Sequence, residues 1–474
     1  MPLILGANSV SGYTVKNSLR FNSGSSDSLT KTTTTPDNRD KLTLSAWFKL
    51  SSSSTSQEIF GFYGSNDYFT VRASNSNSID VILYDGGTIG RLVTTQLLRD
   101  FSAWYHIVVV VDSANATADN RIKIYLNGNE ITSFSTRVNP SQNQDFILTT
   151  LTTTGIGINT DQVGGVSRFN GYIAEAIYVD NQALTPSSFG ETDFDTGIWK
   201  PKAYTGTYGT AGFYLQFKNS ASLGTDSSGN GNTFTVNNLT SVDQSTDTPT
   251  NNFATLNPLL YSTSISYSEG NLKFTNTSSG QRMVASSIAP TTGKWYAECR
   301  VTSLGGTYPQ VGVLDTSIYT MDTYVGALAR GYGYASHGQV YNNAGALTTG
   351  LATYTDNDII GVALDLDNNY VYFSKNGTFI NSGVPTSGSS GTGGWAIADG
   401  YDYSFGSSSL DSGTDPVFDW NFGSPFYTGG SNTDGAGKGN FSYSVPSGYF
   451  ALCTANLSTQ GWYVFKQQIQ NLAR

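Results

Sequence analysis

The stretch GVALDLDNNYVYFSKNGTFI, residues 361–380, decides how the second half of the chain folds. Val362, Leu364 and Leu366 lie two residues apart, so they share one face of a β-strand, and Asp365 and Asp367 share the other. The Asp-Asn-Asn and Asn-Gly turns that follow tolerate positive φ. The pattern predicts a three-stranded meander with its apolar face in a core and its acids on the outer face and at a turn.

Two carboxylates on one face are also how some glycosidases hold their acid and nucleophile. A retaining enzyme needs the pair about 5 Å apart in a cleft, with one pKa raised. The six glutamates of the chain, at 58, 130, 175, 191, 269 and 298, all lie outside this stretch. We therefore favour the hairpin over a catalytic pair or a metal site, and we expect no catalytic residue, no metal and no cofactor.

Composition favours an all-β protein. The 474 residues include 52 Gly and 29 Tyr but only 13% charged residues, which suits short strands and tight turns. The net charge of −10 disfavours binding to nucleic acid or to anionic membranes. The N-terminus lacks the pattern of a signal peptide, and the longest strongly apolar run, residues 107–111, is too short to span a membrane. We expect a protein made in a cytoplasm, with no membrane insertion.

The few cysteines and histidines argue against a disulfide framework or a zinc site. Cys299 and Cys453 are far apart in strand-like surroundings and are interpreted as buried free thiols. His106 lies in a β-branched strand, where a core or edge histidine with satisfied hydrogen bonds is expected.

Residues 1–200 form the first predicted unit. Its strands are LTLSAWFKL, WYHIVVVVD, RIKIYLNGNEI and FNGYIAEAIYVDNQALT, and Thr185 and Pro186 then favour one short helix. In order and spacing these strands resemble the laminin G-like members of the concanavalin A-like lectin/glucanase superfamily, over about residues 15–190. The resemblance implies a jelly-roll β-sandwich of two antiparallel sheets. The Glu-x-Asp-x-x-Glu strand of the related glucanases does not occur.

Residues 201–255 are rich in Gly, Ser, Thr and Asn and are interpreted as a connector with one or two strands. Within it, DSSGNGNTFTVN (226–237) is similar to a calcium loop at its first positions. Asn237 stands where an EF-hand needs a bidentate glutamate, so a Gly-rich turn is favoured, although bound calcium stays open.

Residues 256–430 form the second predicted unit, and residues 431–474 a C-terminal extension. The order GKWYAECRV, QVGVLD, GYGYASHGQVYNN, the meander and PVFDWNFGSPF closely resembles the SPRY family, which implies another two-sheet sandwich. Two similar segments, PTNNFATLNPL (249–259) and PSGYFALCTANL (446–457), bracket the unit and are expected to pair or pack together. The fold class is therefore two antiparallel β-sandwiches in tandem.

The combined pattern resembles virion proteins of tailed bacteriophages, especially those of marine bacteria. The resemblance implies a non-enzymatic virion protein, such as a tail fibre, an appendage or a capsid-surface protein, that recognises host carbohydrate in host attachment. A purely structural decoration or adaptor is the alternative, and a polysaccharide-degrading enzyme is less favoured. Its partners would be other virion proteins and a host surface glycan, with the protein present in multiple copies or as a homo-oligomer. The sequence leaves the position in the particle and the ligand open.

A glycan site is expected on loops, where aromatic faces and polar side chains suit sugars. The alternative for each cluster is an aromatic turn that packs on its own sheet. SPRY-like domains bind through loops at one end of the sandwich, which favours the second cluster. The candidate ligand-binding residues are Tyr63, Asn66, Asp67 and Tyr68 in the first unit and Tyr332, Tyr334, His337, Tyr341 and Asn342 in the second.

Overall fold

Alternating apolar residues place the strands of this chain in four large sheets, which pair into two β-sandwiches. A computed structural model describes residues 12–51, 55–64, 66–160, 166–194, 196–260, 264–277, 280–305, 308–320, 322–409 and 416–460. The expected all-β fold with two antiparallel sandwiches is confirmed. In the described part of the chain, no helix has the length and apolar character needed to cross a membrane.

The part of the described chain up to residue 245 contains twenty strands, of which sixteen form the two large sheets of the first sandwich and four form two small two-stranded sheets. They are β1 (Ser18–Phe21), β2 (Ser28–Thr32), β3 (Lys41–Leu50), β4 (Gln57–Gly64), β5 (Asp67–Ala73), β6 (Ser78–Tyr84), β7 (Thr88–Leu97), β8 (Tyr105–Asp112), β9 (Ile122–Leu126), β10 (Asn129–Glu130), β11 (Phe134–Val138), β12 (Thr153–Ile156), β13 (Ile158–Asn159), β14 (Ser167–Arg168), β15 (Gly171–Asp180), β16 (Gly190–Thr192), β17 (Trp199–Pro201), β18 (Phe213–Leu215), β19 (Thr235–Asn237) and β20 (Gln244–Ser245).

The second sandwich contains the remaining strands and the one described α-helix, α1 (Thr454–Gln460). The strands are β21 (Ile265–Ser268), β22 (Lys273–Asn276), β23 (Arg282–Ala285), β24 (Lys294–Ser303), β25 (Gln310–Asp315), β26 (Gly331–Ala335), β27 (Gln339–Asn342), β28 (Gly345–Thr348), β29 (Ile359–Asp365), β30 (Tyr370–Lys375), β31 (Thr378–Phe379), β32 (Trp395–Ala396), β33 (Tyr403–Ser409), β34 (Val417–Asn421) and β35 (Phe450–Ala451). Short 3-10 helices span Ala118–Asn120, Pro186–Ser188, Ser241–Asp243, Thr316–Ile318, Val325–Ala327 and Pro385–Ser390.

The sheet orders show how each sandwich closes around its core. The first packs a sheet of order β10-β9-β8-β3-β15-β1-β20, with β18 also on β15, against β11-β7-β6-β5-β4-β12-β2-β19. The second packs β21-β22-β34-β24-β29-β30-β31, with β32 and β35 attached, against β23-β33-β25-β26-β27-β28. Strands of the segment 201–255 thus lie at the edges of both sheets of the first sandwich. The short helix expected after Thr185 is confirmed as the 3-10 turn at Pro186–Ser188.

The meander at residues 359–379 is confirmed, with Asp365 opposite Tyr370 across the first turn. Asp365 lies on the outer face of the meander, as expected, but this face is not exposed there, since the Asp365 side chain is fully buried. Its carboxylate accepts hydrogen bonds from Lys294 Nζ at 2.8 Å and from the backbone N–H groups of Asp367 and Asn368. The carboxylate is therefore used to hold the turn together.

The outer face of the meander is buried because the C-terminal segment covers it. Phe441, Tyr449 and Cys453 pack against Tyr296 and other aromatic residues of that face. β35 adds to β24 in parallel, the one parallel pair among the described strands. The expected pairing of the two similar segments is also confirmed, since Phe253 bridges Cys453 and the Ala254 N–H donates to the Leu452 carbonyl at 2.9 Å.

The two sandwiches meet in a polar, buried junction. Lys49 Nζ on β3 lies 2.7 Å from Asp247 Oδ2, and both side chains are almost completely buried. Trp104 Nε1 donates to the other oxygen of Asp247 at 2.9 Å. The direct hydrogen bonds between the sandwiches include Asn22 to Glu269 at 2.6 Å, Tyr172 to Gly270 at 3.1 Å and Ser245 to Ser424 at 2.8 Å.

Three interpretations of single residues are confirmed. Cys299 and Cys453 are buried and free. His106 is buried between Trp47 and Trp199 and bonds Ser45 and the Trp199 indole through its two ring nitrogens. Because the indole N–H can only donate, Nδ1 accepts and Nε2 donates to Ser45, and burial lowers the pKa of His106 to about 3. The imidazole is thus neutral.

The segment similar to a calcium loop forms a turn centred on Asp226. Its carboxylate accepts hydrogen bonds from the N–H groups of Tyr214, Ser228 and Asn232 and from the Ser228 hydroxyl. Among the residues that the structure describes, no group of three His, Cys, Asp or Glu side chains is placed to hold a metal ion.

Candidate functional site

The β26–β27 hairpin of the second sandwich presents a histidine at its tip. Gly338 takes φ +83°, and its N–H bonds the Ala335 carbonyl at 3.0 Å, which closes the turn. A Cβ at Gly338 would lie 2.3 Å from the Leu351 carbonyl oxygen, so this position requires glycine. The close contact fixes the turn, and with it His337, against the loop at 350–352.

Four rings gather around this tip, and we call Tyr308, Tyr324, His337 and Tyr341 the aromatic platform. The Tyr308 and His337 rings are 4.0 Å apart between centroids, and Tyr324 meets Tyr341 edge to face at 6.4 Å. Tyr308 is 43% exposed and takes φ +65°, a conformation that a bulky residue rarely adopts. Such strain is often found at functional sites.

Hydrogen bonds fix the orientation of the platform. The Tyr341 hydroxyl donates to Gln339 Oε1 at 2.6 Å and contacts His337 Nε2 at 3.0 Å. Since the hydroxyl proton points to Gln339, the same oxygen accepts from Nε2–H, which leaves Nδ1 as an acceptor. Within the described residues, Nδ1 is buried without a hydrogen-bond partner. The platform therefore combines an exposed ring with a rigid polar network beneath it.

An open groove of about 450 Å³ lies beside the platform. One wall of the groove, residues 350–352, also contacts the hairpin that carries His337, because the Leu351 N–H donates to the Gly338 carbonyl at 3.0 Å. The opposite wall comes from Lys375 and residues 378–382 after the meander. Lys375 Nζ donates to the Thr353 carbonyl at 2.8 Å and pairs with Asp358 at 3.1 Å. The groove is therefore bordered by the Lys375 ammonium group and by a mixture of small polar and apolar residues: Thr378, Asn381, Ser382, Leu351, Phe379 and Ile380.

The structure separates the residues of the second predicted cluster into three groups. His337 and Tyr341 are half-buried members of the platform. Asn342 holds the edge of the hairpin, since its Nδ2 donates to the Ala329 and Gly331 carbonyls at 3.0 Å each. Tyr332 and Tyr334 are not in a loop: they lie on β26 with their rings in the core, and the Tyr334 hydroxyl donates to the Ala352 carbonyl. Strand alternation turns these two rings inward.

The first predicted cluster is mostly packed on its own sheet. Tyr63 and Tyr68 are each only 5% exposed, and Tyr68 stacks on Tyr84 at 5.1 Å. Asn66 is exposed with φ +69°, as the β4–β5 turn requires. Asp67 accepts a hydrogen bond from the Gly86 N–H at 3.1 Å. This geometry exposes little aromatic surface to a ligand.

Sequence reasoning missed Tyr308, Tyr324 and Gln339. Tyr308 precedes Pro309 just before β25, and Tyr324 precedes the 3-10 turn at Val325–Ala327, so neither belongs to the hairpin itself. An aromatic residue before proline at the start of a strand was the one available signal for Tyr308. Only the folded sheet brings it over His337.

Glu175 on β15 is a buried ionisable residue outside the aromatic platform. It takes φ +51° at a bulge and is buried under Tyr13 and Tyr214, which both donate their hydroxyls to Oε2. Burial raises the pKa of Glu175, only partly offset by these two hydrogen bonds. A raised pKa is typical of catalytic acids, but structural networks also produce one.

We expect the Glu175→Gln variant to gain stability at pH 8 relative to wild type, with little difference at pH 4. The folded-state pKa of Glu175 is raised above its unfolded value, so the wild type loses stability as the pH rises through the folded pKa. Glutamine cannot ionise and keeps an acceptor for the tyrosines. Urea unfolding at both pH values measures the difference. Glu130→Gln, at an exposed ion pair with Lys123, is the control. An equal effect of Glu175→Gln at both pH values would refute this linkage.

Comparison with known proteins defines both sandwiches. The family model of the concanavalin A-like lectin/glucanases superfamily, laminin G-like, matches residues 23–188, and the SPRY domain model matches residues 294–392. The chain therefore carries a laminin G-like domain followed by a SPRY domain, two classes that suggest binding modules. A search of curated proteins gave no match.

Solved structures similar to the chain include SPRY domains. The SPRY domain of human HERC1 is 18% identical, with coverage of 33% of this chain and 91% of that one and a TM-score of 0.28. A stonustoxin structure is 17% identical, with coverage of 35% and 27% and a TM-score of 0.28. A human SPRY domain is 17% identical, with coverage of 33% and 94% and a TM-score of 0.24.

Proposed function

We propose that this protein is a non-enzymatic binding protein on the virion surface of a tailed bacteriophage, where it attaches to host carbohydrate through the aromatic platform. The observation that carries the proposal is the exposed ring of Tyr308, held over His337 beside an open groove. The phage assignment rests on the resemblance of the sequence. Synthesis in the host cytoplasm and contacts with other virion proteins belong to the same proposal.

The chemistry of the platform suits a sugar. A pyranose ring presents C–H groups on one face, which pack on an aromatic ring, and hydroxyls at its edge. Tyr308 offers such a face, while Lys375 and the polar side chains of Thr378, Asn381 and Ser382 in the adjacent groove offer donors and acceptors. The proposal of binding without catalysis is supported by Asp365, whose buried carboxylate already accepts hydrogen bonds from its own turn.

Binding at one such site is expected to be weak and to become useful through many copies. A shallow platform covers only part of a sugar, so each copy contributes little. Copies linked on one particle raise the apparent affinity by about 10²–10⁴ without new contacts. Since only 13% of the residues are charged, attachment is expected to depend little on salt.

The Tyr308→Ala variant is expected to weaken binding to host polysaccharide roughly 5- to 30-fold per site, the loss of about 1–2 kcal/mol for one exposed aromatic contact. Binding to surface-immobilised polysaccharide from the host measures the loss of affinity. The assay compares the monomeric protein with the protein displayed in many copies. Tyr401→Ala is the matched control, because Tyr401 is 40% exposed in the same sandwich but stacks on Arg330.

Three other results would change the proposal. Equal binding by Tyr308→Ala and wild type would place the site elsewhere. Tight binding by the monomer would contradict the multivalent mechanism. Particles that display the protein but do not bind the polysaccharide would favour the structural role in decoration or adaptor contacts.

A further inference from the structure

The junction between the sandwiches contains a buried amine next to a side-chain amide. Lys49 Nζ donates to Asn252 Oδ1 at 2.8 Å, to Asp247 Oδ2 at 2.7 Å and to the Phe253 carbonyl at 3.3 Å. The Lys49 side chain is 1% exposed and that of Asp247 is 2% exposed. The amine and the carboxylate are thus shielded from water, and they meet the amide of Asn252, which is half-buried.

The surroundings orient each of these groups. Asn252 Nδ2 donates to the Ser102 carbonyl at 2.8 Å, so the amide carbonyl faces Lys49 and the amide nitrogen faces away. Asp247 is fixed through its other oxygen by Trp104 Nε1. The ring of Tyr172 lies 5.3 Å from Nζ and helps to close the site. The three reacting groups therefore need no large rearrangement to come together.

We propose that Lys49 and Asn252 become joined by an intramolecular amide bond, with Asp247 as the acid and base. Transfer of a proton from Nζ to Asp247 Oδ2 along their hydrogen bond gives a neutral amine and a carboxylic acid. The amine attacks Cγ of Asn252, so an Nζ–Cγ bond forms and the Cγ–Nδ2 bond breaks. Positioned groups in a water-poor site favour such a step.

The protons and electrons of this reaction balance without an oxidant or a cofactor. The ammonium group of Lys49 begins with three protons and ends as an amide nitrogen with one. The other two protons pass, one of them through Asp247, to Nδ2, which leaves as ammonium. Asp247 returns to its carboxylate form. The bond ties β3 of the first sandwich to the segment that leads into the second.

Intact-mass spectrometry of the purified full-length chain tests the proposal. We expect a mass lower than the sequence mass by one ammonia, about 17 Da, with a tryptic peptide that links Lys49 to Asn252. Trypsin should then fail to cut after Lys49, since an amidated lysine carries no charge. Lys49→Arg, which keeps a cation beside Asp247, and Asp247→Ala are both expected to show the full sequence mass.

The outcomes separate the alternatives. A wild-type mass equal to the sequence mass would show that Lys49 is only an ion-pair partner and would overturn the proposal. The same mass loss located at an asparagine without linkage to Lys49 would also overturn it. If Asp247→Ala forms the linked peptide as fully as wild type, the assigned role of Asp247 is wrong. Because the wild-type mass is itself decisive, an unfolded variant does not affect the conclusion.

Discussion

A chain that ends at residue 430 is expected to lose the stable fold of the second sandwich. Phe441, Tyr449 and Leu452 are fully buried against that sandwich. Burial of each such side chain contributes about 1.5–3 kcal/mol, so their joint removal costs about 5–9 kcal/mol. That loss is comparable with the whole stability of an ordinary domain, about 5–15 kcal/mol. Differential scanning calorimetry and limited proteolysis of residues 1–430 against the full chain measure the loss.

A single substitution at Glu298 is expected to give a smaller loss of stability than the truncation. Glu298 is buried and accepts hydrogen bonds from the N–H groups of Ser442 at 2.8 Å and Tyr443 at 2.9 Å. In Glu298→Ala these donors lose their acceptor, at about 1–3 kcal/mol each, so the second sandwich should melt at a lower temperature but still fold. If residues 1–430 unfold with the same transition as the full chain, the covering role of the C-terminal segment is wrong.

In the Asp247→Ala variant the amide bond does not form and Lys49 keeps its charge, so the junction is expected to be destabilised by about 3–5 kcal/mol, because removal of one partner leaves the other charge buried without compensation. The Asp247 carboxylate accepts hydrogen bonds from Lys49, from Trp104 and from the Phe253 N–H, so three donors lose their acceptor in one substitution. Urea unfolding followed by tryptophan fluorescence measures the change.

Asp119→Ala provides the matched control for the junction. Asp119 pairs with Arg137 at 3.1 Å, but its side chain is 67% exposed, so the loss should be small. Asp247→Asn keeps one oxygen acceptor, so its loss of stability should lie between the losses of Asp247→Ala and Asp119→Ala. An Asp247→Ala variant no less stable than Asp119→Ala would show that the buried pair adds nothing to the junction.

Sequence patterns predicted the strands well because alternation reports which side chains share a face. The meander and its turn at residues 367–369 follow directly from that rule. The rule does not say what covers the opposite face. Ala363 and Tyr372 look solvent-facing in the sequence, yet they are buried because residues 441–453 return to cover them. That return is set by contacts between residues far apart in the chain.

The candidate site was only partly predictable for a similar reason. His337 and Tyr341 lie on one hairpin, and their nearness could be inferred from turn residues. Tyr332 and Tyr334 share that stretch, but the strand register sends their rings inward. Tyr308 joins the platform from just before β25, and no local pattern links it to His337. The local sequence therefore indicated the region of the site, while the pairing of the strands determined which side chains belong to it.

The late position of β35 has a consequence for synthesis on the ribosome. The first sandwich has all its strands once residue 245 has emerged, whereas the second receives β35 only at residues 450–451. At about 5–20 residues per second, roughly 10–40 s separate these two points. Late in that interval, once β30 has emerged, the face that carries Tyr296 and Tyr372 lacks its cover. Nascent chains are therefore most open to chaperone capture, or to association with one another, after β30 has emerged and before β35 follows it.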